Sequence, residues 1–301
     1  MSDAQRTLGL ASRRFYRVAE WIARVPWPWL QVRLSRRWGR VGSPFVADLA
    51  QVQDACAQAF AVPPAQAHTM AQQWLASQGL FATSIFGYHR MGPDWVRRHV
   101  RVHQPEALAQ LRQSGGLVLS YHTHHHNTLG IVLGQSGVPT WGVAATEKAS
   151  PMAPYTGRFM RIINGQSEAK FGGGKYLFTD EPRNLLRGLR LAFASRHGVV
   201  SICDNPTPSA DQPAVRFMGR SFHVGVGVVE TALEHQVPIT LALLYPDLLG
   251  GYRLLLKRLP DGLGAHQVVQ SYFDFLATAV RHSPWAWQGW HWHHGLPLAP
   301  A

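Results

Sequence analysis

The stretch Gly116-Leu-Val-Leu-Ser-Tyr121 begins with glycine, continues as an apolar run and leads into His122-Thr-His-His-His-Asn127. A short apolar run bounded by turn residues is typical of a buried strand in a parallel sheet. Three more runs have this form, and they cover residues 140–145, 198–203 and 238–245. Helices are predicted between them at residues 127–135, 155–163, 183–196 and 225–236. This alternation predicts an α/β layered sheet flanked by helices, with functional groups at the carboxyl ends of the strands.

The chain before the first strand lacks this alternation. Residues 45–60 are rich in Ala, Gln and Val, and together with residues 64–86 they predict two helices. No stretch rich in proline, glycine or serine separates a second domain after them. We therefore interpret residues 45–301 as a single domain. Residues 1–44 form a basic, amphipathic N-terminal helical region before it.

The chain is strongly basic, with 29 Lys and Arg residues against 17 Asp and Glu residues and a formal charge of +12. Its 46% of hydrophobic and 15% of charged residues exclude a disordered chain and a coiled coil. Nine arginines lie between Arg6 and Arg40. Such a cluster indicates an acidic partner, which could be nucleic acid, anionic lipid or an acidic carrier protein. Nucleic acid is the least favoured of these, because no recognition motif accompanies the arginines.

The N-terminal region is predicted to be neither a signal peptide nor a spanning helix, because arginines interrupt every apolar run. Apolar residues nevertheless recur every three or four positions, at Phe15, Val18, Trp21, Ile22 and Val25. This spacing predicts an amphipathic helix that either lies on a membrane or packs on the protein's own core. The nearby Trp27, Trp29 and Trp38 slightly favour the membrane, since tryptophan prefers the headgroup zone.

Four histidines occupy five positions between His122 and His126. A metal site is disfavoured, because neighbouring histidines on a turn cannot all face one ion and no Asp, Glu or Cys follows at ligand spacing. The favoured interpretation is an H-x4-N pair, with His122 at the end of a strand and Asn127 in the first turn of a helix. Histidine at this place is suited to general-base chemistry near neutral pH.

Residues 116–130 resemble the strand, H-x4-D/E motif and helix of the lysophospholipid acyltransferase superfamily. They are most similar to the bacterial lipid A late acyltransferases, the lauroyl and myristoyl transferase family. Further segments follow in that family's order. Residues 158–165 resemble its arginine-bearing helix, residues 198–205 its strand ending in Asp-Gln, residues 215–220 its Phe-Phe-Gly turn, and Pro284-x2-Trp287-x3-His291 its C-terminal pattern. The resemblance covers about residues 45–296.

This resemblance implies a glycerolipid acyltransferase-like fold and an enzyme that transfers acyl groups from a thioester. The donor would be an acyl carrier protein, or less favourably coenzyme A, and no bound cofactor or metal is implied. The acceptor would be a hydroxyl or amine of a lipid or other amphiphile, at the cytoplasmic face of the bacterial inner membrane. His122 would be the general base and Asn127 its orienting partner. The implied substrate-binding residues are Arg158, Arg161, Asp204, Arg216, Gly219 and Arg220.

The sequence departs from the family at Asn127, where the family has a carboxylate. An amide oxygen can accept from the imidazole ring but brings no charge, and a comparable Asp-to-Asn change in the serine protease triad costs about 10⁴ in rate. Three explanations are open. Asn127 orients His122 as asparagine does in Cys-His-Asn enzymes, the acceptor demands less of the base, or the protein has lost catalysis and only binds lipid or acyl groups. Asp204 either orients a site residue or caps the turn before Pro206.

Overall fold

The computed structural model describes residues 3–123, 126–146, 164–207, 209–246, 251–293 and 295–298, with residues 3–12 and 28 described by their backbone alone. The helices are α1 (Asp3–Ala23), α2 (Pro28–Gly42), α3 (Leu49–Phe60), α4 (Pro64–Ser84), α5 (Pro93–His99), α6 (Pro105–Ser114), α7 (His126–Gln135), α8 (Pro182–Ala194), α9 (Gly227–Glu234), α10 (Ala265–His282) and α11 (Trp290–His293). The strands are β1 (Val100–Val102), β2 (Gly116–Ser120), β3 (Thr140–Ala144), β4 (Tyr176–Phe178), β5 (Gly198–Ile202), β6 (Pro206–Thr207), β7 (Ala214–Phe217), β8 (Arg220–Val224), β9 (Ile239–Pro246) and β10 (Tyr252–Arg258). Short 3-10 helices cover Pro44–Asp48, Ile85–Arg90 and Pro284–Ala286.

Seven strands form the main sheet in the order β1-β10-β9-β2-β5-β3-β4. Every neighbouring pair is parallel except β10 with β9. The predicted α/β layering is confirmed, and the four predicted strands correspond to β2, β3, β5 and β9. The central strand β2 pairs with β5 in a register that places Ser120 opposite Ile202. Because these two parallel strands end level with each other, the residues that follow them emerge side by side.

The sheet is covered on both faces, which explains the continuous apolar character of β2. Leu117 and Leu119 belong to a buried cluster that includes Phe273 of α10. Val118 points to the other face, where it belongs to a second cluster with Leu129 of α7. All five residues of β2 are buried. The core therefore holds the carboxyl end of β2 firmly in place.

The N-terminal helices pack on α4, and α2 approaches it very closely. A Cβ atom on Gly39 would lie 2.3 Å from the carbonyl oxygen of Leu75, and one on Gly79 would lie 1.9 Å from that of Ser35. The predicted amphipathic helix packs on the protein's own core, since Phe15 of α1 is 2% exposed.

The outer surface of this N-terminal region nevertheless exposes large apolar side chains. Trp21, Trp27 and Trp29 are 70%, 56% and 66% exposed. Within the described residues, no helix is both long enough and apolar enough to cross a bilayer.

Several elements differ from the sequence predictions. The long helix α10 and strand β10 were not predicted, and the predicted helix at residues 155–163 lies outside the described residues. Strands β7 and β8 form an antiparallel hairpin that, with β6, makes a second sheet. Its two-residue turn consists of Met218 and Gly219, with φ angles of 48° and 80°. Two positive φ angles fit the twist of a tight hairpin, and Gly219 adopts the second of them without strain.

Candidate functional site

The residues that follow β2 and β5 form a histidine–carboxylate pair. His122 Nδ1 lies 2.5 Å from Asp204 Oδ1, and the backbone N–H of His122 donates to Asp204 Oδ2 at 2.9 Å. The level ends of the two strands explain this contact, because each residue lies two positions beyond the register pair Ser120 and Ile202. The carboxylate therefore holds both the ring and the backbone of the histidine.

A buried tryptophan completes the surroundings of the carboxylate. Trp287 Nε1 donates to Asp204 Oδ2 at 2.7 Å, and the indole is fully buried. The same C-terminal segment contacts the histidine turn through its backbone, since Gln288 N–H donates to the carbonyl of His122 at 2.6 Å. Trp287 was not among the predicted site residues. The C-terminal pattern that contains it was the signal in the sequence.

Burial and charge act in opposite directions on this pair. Burial alone would raise the pKa of Asp204, but the neighbouring His122 and three hydrogen bonds lower it below its ordinary value. Burial alone would lower the pKa of His122, but the charge and hydrogen bond of Asp204 raise it above its ordinary value. An ionised carboxylate at Nδ1 fixes a proton on that nitrogen. The other ring nitrogen, Nε2, is then the one that can act as a base.

A second histidine lies beside the first one. The rings of His122 and His126 meet edge to face with their centroids 5.4 Å apart. His126 Nδ1 donates to the carbonyl of Thr123 at 2.7 Å. Burial and the charge of His122 lower the pKa of His126 to about 4. His126 is therefore neutral near pH 7, and a proton taken up by these two rings resides on His122.

Asn127 does not hold the ring of His122, which corrects the prediction from the H-x4-N spacing. The residue lies in the first turn of α7 and lines the same cavity as His122. Among the described residues, however, Asp204 is the one that bonds Nδ1. The side chain of Asn127 makes no hydrogen bond with another described residue, so its amide is available to a bound molecule.

The remaining predicted site residues lie elsewhere. Arg158 and Arg161 lie outside the described residues. Arg216, Gly219 and Arg220 belong to the β7–β8 hairpin and are not among the residues that line the cavity beside His122.

The structure gives each of these hairpin residues a local place. The side chain of Arg216 is exposed, and Gly219 serves the tight turn described above. The Arg220 guanidinium donates hydrogen bonds to Gln58 Oε1 and to the carbonyl oxygen of Leu296, the latter at 2.8 Å. Arg220 therefore links the hairpin to α3 and to the C-terminal segment. None of the three hairpin residues that were predicted to bind substrate lines the cavity.

A cavity of about 880 Å³ opens beside the histidine–carboxylate pair. Its walls come from α1, α4, α7, α8 and α9 and from the ends of β3 and β5. Most of its lining is apolar, and the residues that supply this part of the wall include Phe15, Phe81, Val143, Phe171, Leu185, Leu186, Leu189, Val200 and Val228. The polar part of the lining includes His122, His126 and Asn127, which are close to one another in the sequence. A large apolar cavity with a few converging polar groups is typical of a site for an amphiphilic ligand.

In the parts of the chain that the structure describes, no group of three or more His, Cys, Asp or Glu side chains is arranged to hold a metal ion. No protein-family model matches the chain, and no curated protein matches it. Function is therefore inferred from the chemistry of the site itself.

Proposed function

We propose that this protein is an acyltransferase. It moves a fatty or related acyl chain from a thioester to a hydroxyl or amine of a lipid or other amphiphilic acceptor. The donor is the thioester of an acyl carrier protein or, as the less favoured donor, of coenzyme A. One observation carries the proposal, namely that the His122–Asp204 pair borders a large, mainly apolar cavity.

The proposed reaction needs a base at His122 Nε2 and a proton that Asp204 keeps on His122 Nδ1. His122 Nε2 removes the proton from the acceptor as its oxygen or nitrogen attacks the thioester carbonyl carbon. The carbon–sulfur bond then breaks, and His122 returns the proton to the departing thiolate. Asp204 stays ionised throughout, keeps the other proton on Nδ1 and stabilises the imidazolium that forms. The lowered pKa of Asp204 and the raised pKa of His122 support these two roles.

Asn127 has a different role in this proposal from the one its spacing suggested. Asn127 lines the same cavity as His122, and its side chain makes no hydrogen bond with another described residue. It can donate an N–H to the negative oxygen that develops on the thioester carbonyl. A carboxylate at this place would repel that oxygen. In this proposal Asn127 can replace the carboxylate of the family that the sequence resembles, because Asp204, just after β5, provides the carboxylate that orients His122.

The cavity supports the acyl part of the proposal. Burial of a chain against its apolar side chains is worth about 0.8 kcal/mol for each methylene group. A chain of several methylenes gains binding energy far from the reacting carbonyl, and this energy helps to position the thioester against His122. A lipid or an acyl chain bound without reaction would gain the same energy, so catalysis must be tested separately.

We also propose that the acceptor is met at an anionic bilayer, on the cytoplasmic face of a bacterial inner membrane. The exposed Trp21, Trp27 and Trp29 lie among exposed arginines such as Arg24 and Arg33. Tryptophan favours the headgroup zone, and arginine is attracted to anionic lipid. Peripheral docking of this kind requires no spanning helix.

Removal of the base tests the proposal. The substrates are dodecanoyl thioesters of an acyl carrier protein and of coenzyme A, with octylamine and octyl glucoside as amine and hydroxyl acceptors. Wild type should release thiol and form an acylated product that mass spectrometry detects, and His122→Ala should reduce the rate at least about 10³-fold. His282→Ala, on an exposed histidine, is the matched control and should keep full activity.

The rival function is that of a lipid-binding protein with the same cavity and no catalysis. It predicts that wild type binds dodecanoate or lipid but turns over neither thioester. Equal activity of wild type and His122→Ala would instead show that the base assignment is wrong.

A further inference from the structure

Helix α8 exposes a row of arginine and leucine side chains. The row recurs at spacings of three and four residues and consists of Arg183, Leu186, Arg187, Arg190 and Leu191. Leu186 is 45% exposed and Leu191 is 56% exposed, which is unusual for leucine on a helix that also contributes to the core. The opposite face of α8, with Leu189 and Phe193, is buried.

This exposed row carries positive charge that the described structure does not neutralise. The segment Pro182–Ala194 contains three arginines and no acidic residue, and none of the three forms an ion pair with another described residue. Asp180 and Glu181 lie just before the helix, but neither forms an ion pair with these arginines within the described structure. Asp180 accepts hydrogen bonds from Thr146, and Glu181 accepts one from Asn184 at 3.0 Å.

The row is continuous with the mouth of the cavity that contains the candidate site. Leu186 is both exposed and part of the cavity lining, together with Pro182, Leu185 and Leu189 of the same helix. The buried face of α8 also packs closely on β4, since a Cβ atom on Gly188 would lie 2.2 Å from Leu177 Cδ2. A partner that docks on α8 would therefore rest on a firm surface at the entrance to the site.

We propose that the exposed row of α8 docks an acidic amphipathic helix of the acyl carrier protein that delivers the thioester. This inference rests on the proposed function and names the surface that the donor uses. The distance along α8 from Arg183 to Leu191 is about 12 Å, which matches two turns of a partner helix. Guanidinium groups pair with carboxylates on such a helix, and the leucines cover its apolar residues.

The composition of the row favours a protein helix over a bilayer. The surface of α1 and α2 exposes three tryptophans, which suits lipid headgroups, whereas the row of α8 exposes leucine and no aromatic residue. The row also borders the cavity entrance, where a donor must place its thioester. Charge complementarity and position therefore point to the same partner.

The test compares two charge reversals of equal size. Arg183→Glu/Arg187→Glu changes the row on α8. Arg97→Glu/Arg101→Glu, the control variant, changes two exposed arginines with the same spacing in α5 and β1. Both proteins and wild type are assayed without membranes. The donors are dodecanoyl acyl carrier protein and dodecanoyl-N-acetylcysteamine, a small thioester that has no protein to dock.

With the carrier donor, the α8 variant should lose at least about tenfold in kcat/KM, mainly through KM, because repulsion slows association and weakens the complex. With the small thioester it should stay within about twofold of wild type, and the control variant should match wild type with both donors. An equal loss in both variants, no loss with the carrier, or a loss that extends to the small thioester would overturn the docking proposal.

Direct binding separates this inference from the proposed function. Isothermal titration with dodecanoyl acyl carrier protein should show binding that the α8 variant loses and the control variant keeps. If wild type turns over neither thioester, the proposed function fails, whereas a selective loss of carrier binding still supports the docking surface. If the α8 variant instead keeps carrier binding but no longer sediments with anionic phosphatidylglycerol vesicles, the row is a membrane surface and the docking proposal is wrong.

Discussion

Replacement of Asp204 by asparagine should disable the base while the fold persists. Asp204 Oδ2 accepts from two N–H groups, those of the His122 backbone at 2.9 Å and the Trp287 indole at 2.7 Å. The asparagine amide will therefore place its oxygen at the Oδ2 position, because an NH2 group there would face two donors. Its NH2 group must then face His122 Nδ1. That nitrogen can only accept from it, so the ring proton moves to Nε2 and the base is lost.

The expected loss of rate is about 10⁴, as in the comparable change in the serine protease triad. This factor corresponds to about 5.5 kcal/mol of transition-state stabilisation. The effect on folding should be smaller. The variant keeps both hydrogen bonds at the Oδ2 position and exchanges the charge-assisted hydrogen bond to His122 Nδ1 for a neutral one. It should therefore lose about 1–1.5 kcal/mol of stability, which is the difference between the two kinds of bond.

The assay is thiol release from dodecanoyl acyl carrier protein, with urea unfolding to measure stability. Asp54→Asn, on an exposed aspartate, is the matched control and should behave as wild type. Nitrogen-15 NMR of His122 should show the proton on Nδ1 in wild type and on Nε2 in Asp204→Asn. Activity of Asp204→Asn within tenfold of wild type, or an unchanged tautomer, would refute the reasoning.

The rate should rise with pH through the raised pKa of His122, so the midpoint of a kcat/KM profile should lie above the ordinary imidazole value of about 6.5, and a lower midpoint would contradict the assignment. The stability advantage of wild type over Asp204→Asn in urea should be largest between about pH 4 and 6.5. It should shrink below that window, as pH falls through the lowered pKa of Asp204, and above it, as pH rises through the raised pKa of His122. Trp287→Phe should lower stability by about 1–3 kcal/mol in urea unfolding, because a buried carboxylate loses a donor; an unchanged midpoint would mean that the indole contributes nothing. Asn127→Asp should reduce kcat about 10²-fold or more with little change in KM, and a rate equal to wild type would remove Asn127 from the oxyanion role.

The sheet could be predicted from the sequence because its strands carry a strong local signal. The runs that become β2, β3, β5 and β9 are apolar, short and bounded by turn residues. Strand β10 was missed because its apolar run is only three leucines long, with Arg253 before it and Lys257 after it. Its place in the sheet depends on pairing with β9. Local pattern therefore predicted the four adjacent strands β9, β2, β5 and β3, and it missed the short edge strands β1 and β4 as well as β10.

The candidate site was only half predictable for a related reason. His122 stood out because it ends a strand within a histidine-rich turn, and Asp204 stood out because it follows another strand. Their pairing depends on β2 and β5 being neighbours in a particular register, which is a tertiary fact. The spacing from His122 to Asn127 is local and so was easier to recognise. It placed the orienting role on the wrong residue because α7 directs Asn127 to the cavity and leaves Nδ1 to Asp204.

The backbone contact between α2 and α4 at Gly39 and Gly79 limits how far the N-terminal helices can move when the protein binds a bilayer. Helix α4 also supplies Gln78 and Phe81 to the cavity wall. With no side chains at the crossing to act as a compressible layer, α2 cannot tilt or slide without moving α4. The tryptophan-bearing outer surface and the cavity are thus parts of one stiff body. Contact of the tryptophan-bearing surface with a bilayer would therefore fix both the tilt of the cavity entrance and its height above the membrane.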